Sequence, residues 1–377
     1  MFKKSLLFVL VAALLLGLVG CGGESAKKEE PKVEEEVVDL PSEDIEEEEI
    51  EEPATLEIVD MVGRTVVLES PAERVFGTIP TGTILLYTVN PDKLIGWNYE
   101  LSSGEKAYID EKYHNLPNLG GAGKDAINAE ELLKMDPDLI IMMEEIEDNT
   151  TKLADELEAQ YKKPVLVLDP ALDKMDESYL VLGKALGEEE KTQELAEFCR
   201  RALDAVKENL DKIEEPKTVY YAEGDTGLMT EPEGSWHSEI IGMVGGINAA
   251  DATVIKDQGK TEVSLEQLLL WNPDVIISWG DARGGYYSGI LEDDAWSSIK
   301  AVEEGEVYEI PNNPFNWFDR PPSSNRILGI RWMANLLYPE LYDYDIREEI
   351  VEFYDKFYHY EFTGDELEEL ISTAIRQ

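Results

Sequence analysis

Cysteine is nearly absent from this chain: Cys21 and Cys199 are the only two in 377 residues. No disulfide framework is available, so stability has to come from burial, for which the length and 43% apolar content suffice. Histidine is almost as scarce. His114, His237 and His359 stand singly, so the histidine-rich set of a bare zinc or manganese carrier is missing, which points toward chelated metal or an oxyanion. Positive charge is short as well: 33 Lys plus Arg face 81 Asp plus Glu, a formal net charge of −48 that repels phosphate backbones and excludes nucleic acid as a partner. There is no G-x-S-x-G elbow, H-E-x-x-H, P-loop or Cys/His cluster, so no motif supports an extracytoplasmic enzyme, and no cofactor is implied. The one long apolar run, Leu6 to Val19 behind Lys3 and Lys4, is too short and too early for an ordinary membrane span.

That run ends in Leu18-Val19-Gly20-Cys21, which resembles a bacterial lipobox. The resemblance implies a signal peptide over 1–20, cleavage before Cys21 and lipidation of its thiol, placing the protein outside the cytoplasm on a membrane anchor. The segment 21–53 is dominated by an acidic run from Glu24 to Glu52 with too few large apolar groups to fold. It reads as a disordered tether; a calcium-collecting or adhesive tail is the alternative.

Beyond the tether one phrase occurs twice, "INAEELLKMDPDLIIM" from Ile127 and "VSLEQLLLWNPDVIIS" from Val263, aligned without a gap. A spacing of 136 residues, Glu130 to Glu266, exceeds the roughly 20–50 of solenoid repeats and suits two domains. Strand-like runs alternate with helical segments before and after a stretch free of Gly and Pro, where Leu195, Phe198, Ala202, Ala205 and Leu210 fall near helical spacing. The expected fold is therefore α/β: two Rossmann-like lobes with mainly parallel central sheets, over 54–185 and 214–340, joined by one long rigid helix over 186–213. Helices over 341–377 pack back on the lobes.

Within the phrase, Asn128 and Ser264 are good N-caps, and Glu131 and Gln267 three residues on give capping-box spacing in both copies. Glu130 and Glu266 are left over. A carboxylate in a first helical turn gains roughly 0.3–1 kcal/mol from the helix dipole, which is one explanation. A matched pair of docking charges for a two-fold partner is the other.

The doubled pattern (N/S)-x-E-x-(I/L)-x-x-x-x-P-D-(L/V)-(I/V)-(I/V), with a lipobox and a connecting helix, resembles the substrate-binding lipoproteins of ABC importers. The group serving iron-siderophore, haem and cobalamin uptake is the nearer likeness, and "FDRPPSSNRILGIRWMANLLYPE" is similar to a segment of its iron-complex members. The resemblance spans about Thr55 to Glu340. It implies a monomeric protein holding its ligand in a cleft between lobes that move little, and docking through Glu130 and Glu266 onto arginines of a permease dimer that carries ATPase subunits.

In open α/β sheets ligands sit outside the carboxyl ends of the strands. That rule nominates Thr81, Thr83, Trp97, Tyr99, Glu144 and Glu145 from the first lobe. From the second it nominates Glu223, Met229, Trp236, His237, Trp279, Arg283, Tyr286, Trp317 and Arg320. Aromatics with two arginines suit a large anionic ligand such as a ferric siderophore. Asp319 and Glu231 are alternative partners for Arg320, and His237 is the one candidate metal ligand. The competing ligand is molybdate or tungstate held by Arg283, Arg320, Thr81 and helix N-terminal amides. An adhesion lipoprotein would bind neither.

Overall fold

A computed structural model describes residues 55–254 and 260–376. The expected signal peptide, lipidation site Cys21 and acidic tether lie outside these residues. Strands β1 (Leu56–Val59) and β2 (Thr65–Leu68) form an antiparallel hairpin whose inward residues are buried, apart from half-buried Leu56, and whose outward ones are exposed. The apolar runs that follow have no exposed face. β3 (Val75–Gly77), β4 (Leu139–Met143) and β5 (Val165–Leu168) are buried throughout and pair in parallel in the order β3-β4-β5, as a sheet covered on both faces requires. Leu94 bridges the free edge of β3 in parallel.

The second lobe contains β6 (Thr218–Ala222), β7 (Met229–Thr230), β8 (Ile247–Asn248), β9 (Thr261–Glu262), β10 (Val275–Ser278) and β11 (Val307–Glu309). Four of these form a parallel sheet in the order β11-β10-β6-β8, while β7 and β9 pair antiparallel beside it. The two parallel sheets have the same plan. The Leu94 bridge corresponds to β8, β3 to β6, β4 to β10 and β5 to β11, so the repeated phrase feeds the same central strand of each lobe.

The phrase itself explains the match. Its helices, Ala129–Lys134 and Leu265–Trp271, are followed by residues in the left-handed region at equivalent places, Asp136 (φ 47°) and Asn272 (φ 46°). Asp and Asn tolerate that conformation, and the proline that follows prevents the helix from continuing. The aspartate after the proline then staples the sheet. Asp138 Oδ2 accepts from the backbone amides of Glu73 and Arg74 at 3.0 Å each, and Asp274 Oδ2 accepts from the amide and hydroxyl of Thr218 at 2.8 and 2.9 Å. Each aspartate therefore locks the start of its own strand to the start of the neighbouring strand of its parallel sheet, β3 or β6. Capping differs from expectation in one copy. Ser264 and Gln267 form the reciprocal box, whereas Asn128 accepts from the Glu131 amide and the Glu131 side chain turns to Lys134 at 2.8 Å. A lysine one turn on competes for that carboxylate.

The connecting segment is shorter than 186–213. A helix over Met175–Leu186 stops at Gly187 (φ +68°), and the linking helix runs over Glu189–Asn209 before a single tight turn at Leu210–Lys212. Leu195, Phe198 and Ala202 are buried with Val206, while Ala205 is half-buried and Leu210 exposed. The C-terminal helix Ile346–Tyr358 lies against the Pro80–Val89 and Asn325–Leu337 helices. It also meets the linking helix, through Phe353 and Phe357 edge-on to Phe198 and through Arg201–Glu352 and Lys356–Glu194 ion pairs at 2.6 Å. One continuous apolar core runs from Val75 and Tyr87 through Phe198 and Phe357 to Tyr221 and Trp332. Both lobes share it, and separating them would expose part of it to water.

Candidate functional site

A cleft of about 660 Å³ opens at the carboxyl ends of the sheets. On the first lobe's side, β3 leads through Ile79 into the Pro80–Val89 helix, with proline at its first position, where a missing N–H costs nothing. Thr81 lines the cleft, and its carbonyl accepts from Ser323 Oγ of the other lobe at 2.8 Å. Beside it the chain turns at Gly121 (φ +96°), where a Cβ would sit 2.1 Å from the Thr78 carbonyl oxygen. Asn98 pins this turn by donating to the carbonyls of Gly77 and Gly120 at 3.0 and 2.8 Å. Tyr99 also lines the cleft, its hydroxyl donating to Glu105 at 2.6 Å. Burial, reinforced by that carboxylate, holds the phenol protonated well above its usual range.

The second lobe contributes charge. His237 sits in a single turn, Trp236–Ser238, opened by Ser235. Its Nδ1 is bonded to Asp319, a carboxylate wholly out of solvent that is itself held because the Asp319 amide donates to Asn316 Oδ1 at 2.8 Å. With Nδ1 occupied, Nε2 is the ring nitrogen left for a ligand in the cleft that His237 lines. Arg320 is bonded to Asp319 as well, and reaches Glu223 at 2.9 Å and Glu231 at 2.7 Å. Burial works against its charge, yet Asp319, Glu223 and Glu231 together raise its pKa above the ordinary arginine value. Glu223 is pushed up to about 7 by burial, which outweighs Arg320 and Lys260. Arg283 differs. It has no carboxylate partner among the described residues; one of its nitrogens donates to the Arg320 carbonyl at 2.6 Å, and burial lowers its pKa.

Several expected ligand residues lie elsewhere. Trp317 is fully buried against Trp332 and Tyr354, where packing and an indole hydrogen bond hold it. Trp97 is buried against Tyr87 and donates to the Tyr113 carbonyl at 2.9 Å. Thr83 points into the helix start and bonds the Gly77 carbonyl. Tyr286 packs on Trp296 and donates to Asp293, away from the cleft lining. The Trp279 ring already carries Lys260 Nζ at 3.8 Å and Arg283 Cζ at 4.5 Å from its centroid, so its stacking capacity is taken by the protein's own cations. Arg320 is likewise no unclaimed anion receptor. Glu223 is buried behind it, Met229 belongs to the β7 edge, and Glu144 faces a separate hollow of about 400 Å³. Glu145 is exposed. The cleft thus gathers Thr81, Tyr99, Trp236, His237, Arg283 and Arg320. Glu105, Asn312 and Asn316 join them unannounced; of these only Glu105 had a local signal, the Ser102-x-x-Glu105 capping box. Among the described residues no group of three or more His, Cys, Asp or Glu side chains is placed to hold a metal ion.

Outside the cleft, Glu130 and Glu266 are both exposed on their short helices. Glu130 pairs with Lys134 at 3.0 Å, whereas Glu266 has no ion pair among the described residues.

The pattern of the periplasmic binding protein family matches residues 99–314, more than half of the chain. The chain belongs to that family. It is 27% identical over 332 residues to the molybdate-binding protein MolA of Haemophilus influenzae, covering 82% of this chain and 89% of that one. It is 26% identical over 256 residues to a vitamin B12-binding protein of Vibrio cholerae, covering 67% and 84%. Among solved structures, an ABC transporter solute binding protein from Sulfurospirillum deleyianum superposes with a TM-score of 0.77 at 32% identity, covering 84% of this chain and 99% of that one. This periplasmic binding protein is accordingly the extracytoplasmic solute-binding component of an ABC importer, two-lobed with parallel sheets like its relatives.

Proposed function

We propose that this binding protein captures an anionic metal chelate, of the ferric siderophore kind, and delivers it to its permease. The observation that carries the reading is His237: with Nδ1 tied to buried Asp319, its Nε2 is oriented as histidines are when they complete a metal's coordination. One imidazole supplies one ligand, so the remaining positions belong to the chelator. Arg283 offers it a guanidinium that no carboxylate among the described residues has claimed, and Tyr99 and Trp236 offer apolar faces. The shared core beneath the cleft supports capture with small lobe movement. Cys21 would carry the lipid that keeps the protein, a monomer, at the membrane surface. Loss of ligand affinity is not expected when Glu130 and Glu266 are both reversed to Arg, but uptake should cease, because those charges serve the permease.

A molybdate-like oxyanion is the second reading, favoured by Arg283 and by the similarity to MolA. Titrating the full chain with ferric catecholate and hydroxamate chelates, and separately with molybdate, separates the two through tryptophan fluorescence, since Trp236 is 47% exposed beside His237. Saturable quenching by a chelate supports the first reading. Quenching by molybdate alone replaces it with the second.

A further inference from the structure

The two helices of the repeated phrase differ at several matched positions, and one of these changes the exposed face beside the glutamate. Where the first has Lys134, the second has Leu270. Around that position Glu130 matches Glu266, and exposed Leu133 (43%) matches exposed Leu269 (37%). Lys134 lies within 3.0 Å of Glu130 and 2.8 Å of Glu131, so the first corner has its carboxylates shared by an ammonium. At the second corner Gln267 replaces Glu131, Glu266 has no ion pair among the described residues, and Leu270 one turn on is 84% exposed, the most exposed large apolar side chain among the described residues. A lone exposed leucine is ordinary on a protein surface. Leu270, beside partly covered Leu269 and on the same helix as a carboxylate that the sequence repeats in the other lobe, is not explained by folding, because the lobe leaves it almost entirely in solvent.

We infer that docking is asymmetric: the second-lobe corner, Glu266 with Leu269 and Leu270, binds the permease more strongly than the Glu130 corner, through a socket that pairs a cation with an apolar wall. The inference rests on the importer reading above. A permease dimer presents the same surface twice. Both corners therefore meet equivalent sockets, and the better-filled one dominates. Glu266 can pair with a socket arginine without giving up a partner, while Leu270 is buried on contact. Glu130 must share its charge with Lys134, whose ammonium also faces the socket's own cation and is repelled.

The test uses the full chain and its permease–ATPase complex in nanodiscs, measuring affinity by surface-immobilised binding. Leu270→Lys should weaken association about ten-fold or more, the worth of one leucine withdrawn from a contact. Lys134→Leu makes the first corner resemble the second and should tighten association about ten-fold. Both positions are on the surface, so folding is not at stake. If Glu266→Arg abolishes association while these two substitutions leave it unchanged, docking stands and the asymmetry is overturned. If the unmodified chain does not associate with the complex at all, the importer reading falls with it.

Discussion

At the cleft the first lobe presents Ile79, Thr81, the Gly121 turn and Tyr99, with its one lining carboxylate, Glu105, bonded to the Tyr99 hydroxyl at 2.6 Å. The second lobe meets it with His237, Arg283 and Arg320, backed by Asp319, Glu223 and Glu231. Behind these unlike walls the frames are the same: equivalent strand orders, equivalent left-handed residues and equivalent Asp138 and Asp274 staples. The two lobes share sequence where strand starts and helix ends are fixed, and differ along the cleft walls. The staple shows why the phrase survived in both lobes. Its aspartate holds two strand starts in register, a task indifferent to what binds above.

Substitutions that affect one lobe alone test this division most strongly. Arg320→Ala leaves Glu223, Glu231 and Asp319 buried without their shared cation, and chemical denaturation should register a loss of about 3–5 kcal/mol. No side chain of the first lobe's wall has a comparable set of partners among the described residues. Next in size, His237→Ala should weaken chelate affinity about 10- to 100-fold by titration, and Asp319→Asn should do so through the tautomer and orientation of the ring. By contrast, Asp138→Ala and Asp274→Ala should cost similar amounts, about 1–3 kcal/mol each in thermal unfolding. Markedly unequal losses would break the claim of a common frame.

A pH dependence completes the set. Glu223 titrates near 7 in the folded chain against 4.5 for a free carboxyl. Between those values the folded state binds the extra proton, so the Glu223 contribution to stability declines as pH rises through that window, by up to ~1.4 kcal/mol per pH unit. Glu223→Gln should remove that decline, and an unchanged slope between pH 5 and 7 would show that the carboxyl titrates elsewhere.

The architecture was largely legible because it is local and repeated: periodicity marked the strands, Pro137 and Pro273 marked the helix ends, and the 136-residue echo marked two lobes. The cleft was only half legible. The strand-end rule names loops but not the direction of a side chain, which is why Trp97 and Trp317, apolar enough to be drawn into the core, were nominated beside Tyr99 and Trp236. Arg320 was visible as a charge. Its three carboxylate partners come from the residue after β6, from the segment after β7 and from its own neighbour, a convergence that only the folded topology produces. Glu130 and Glu266 stood out by elimination, since Asn128 and Ser264 take the capping, but the contrast of Lys134 with Leu270 needed exposure to acquire meaning.

In the proposed complex His237 of the second lobe reaches the metal of the bound chelate. X-ray absorption at the iron edge of the ferric chelate bound to the full chain tests this directly. A nitrogen scatterer added to the chelator's own ligands on binding, and lost in His237→Ala, is the expected result. A spectrum identical for the free chelate, the complex and the His237→Ala complex would contradict it.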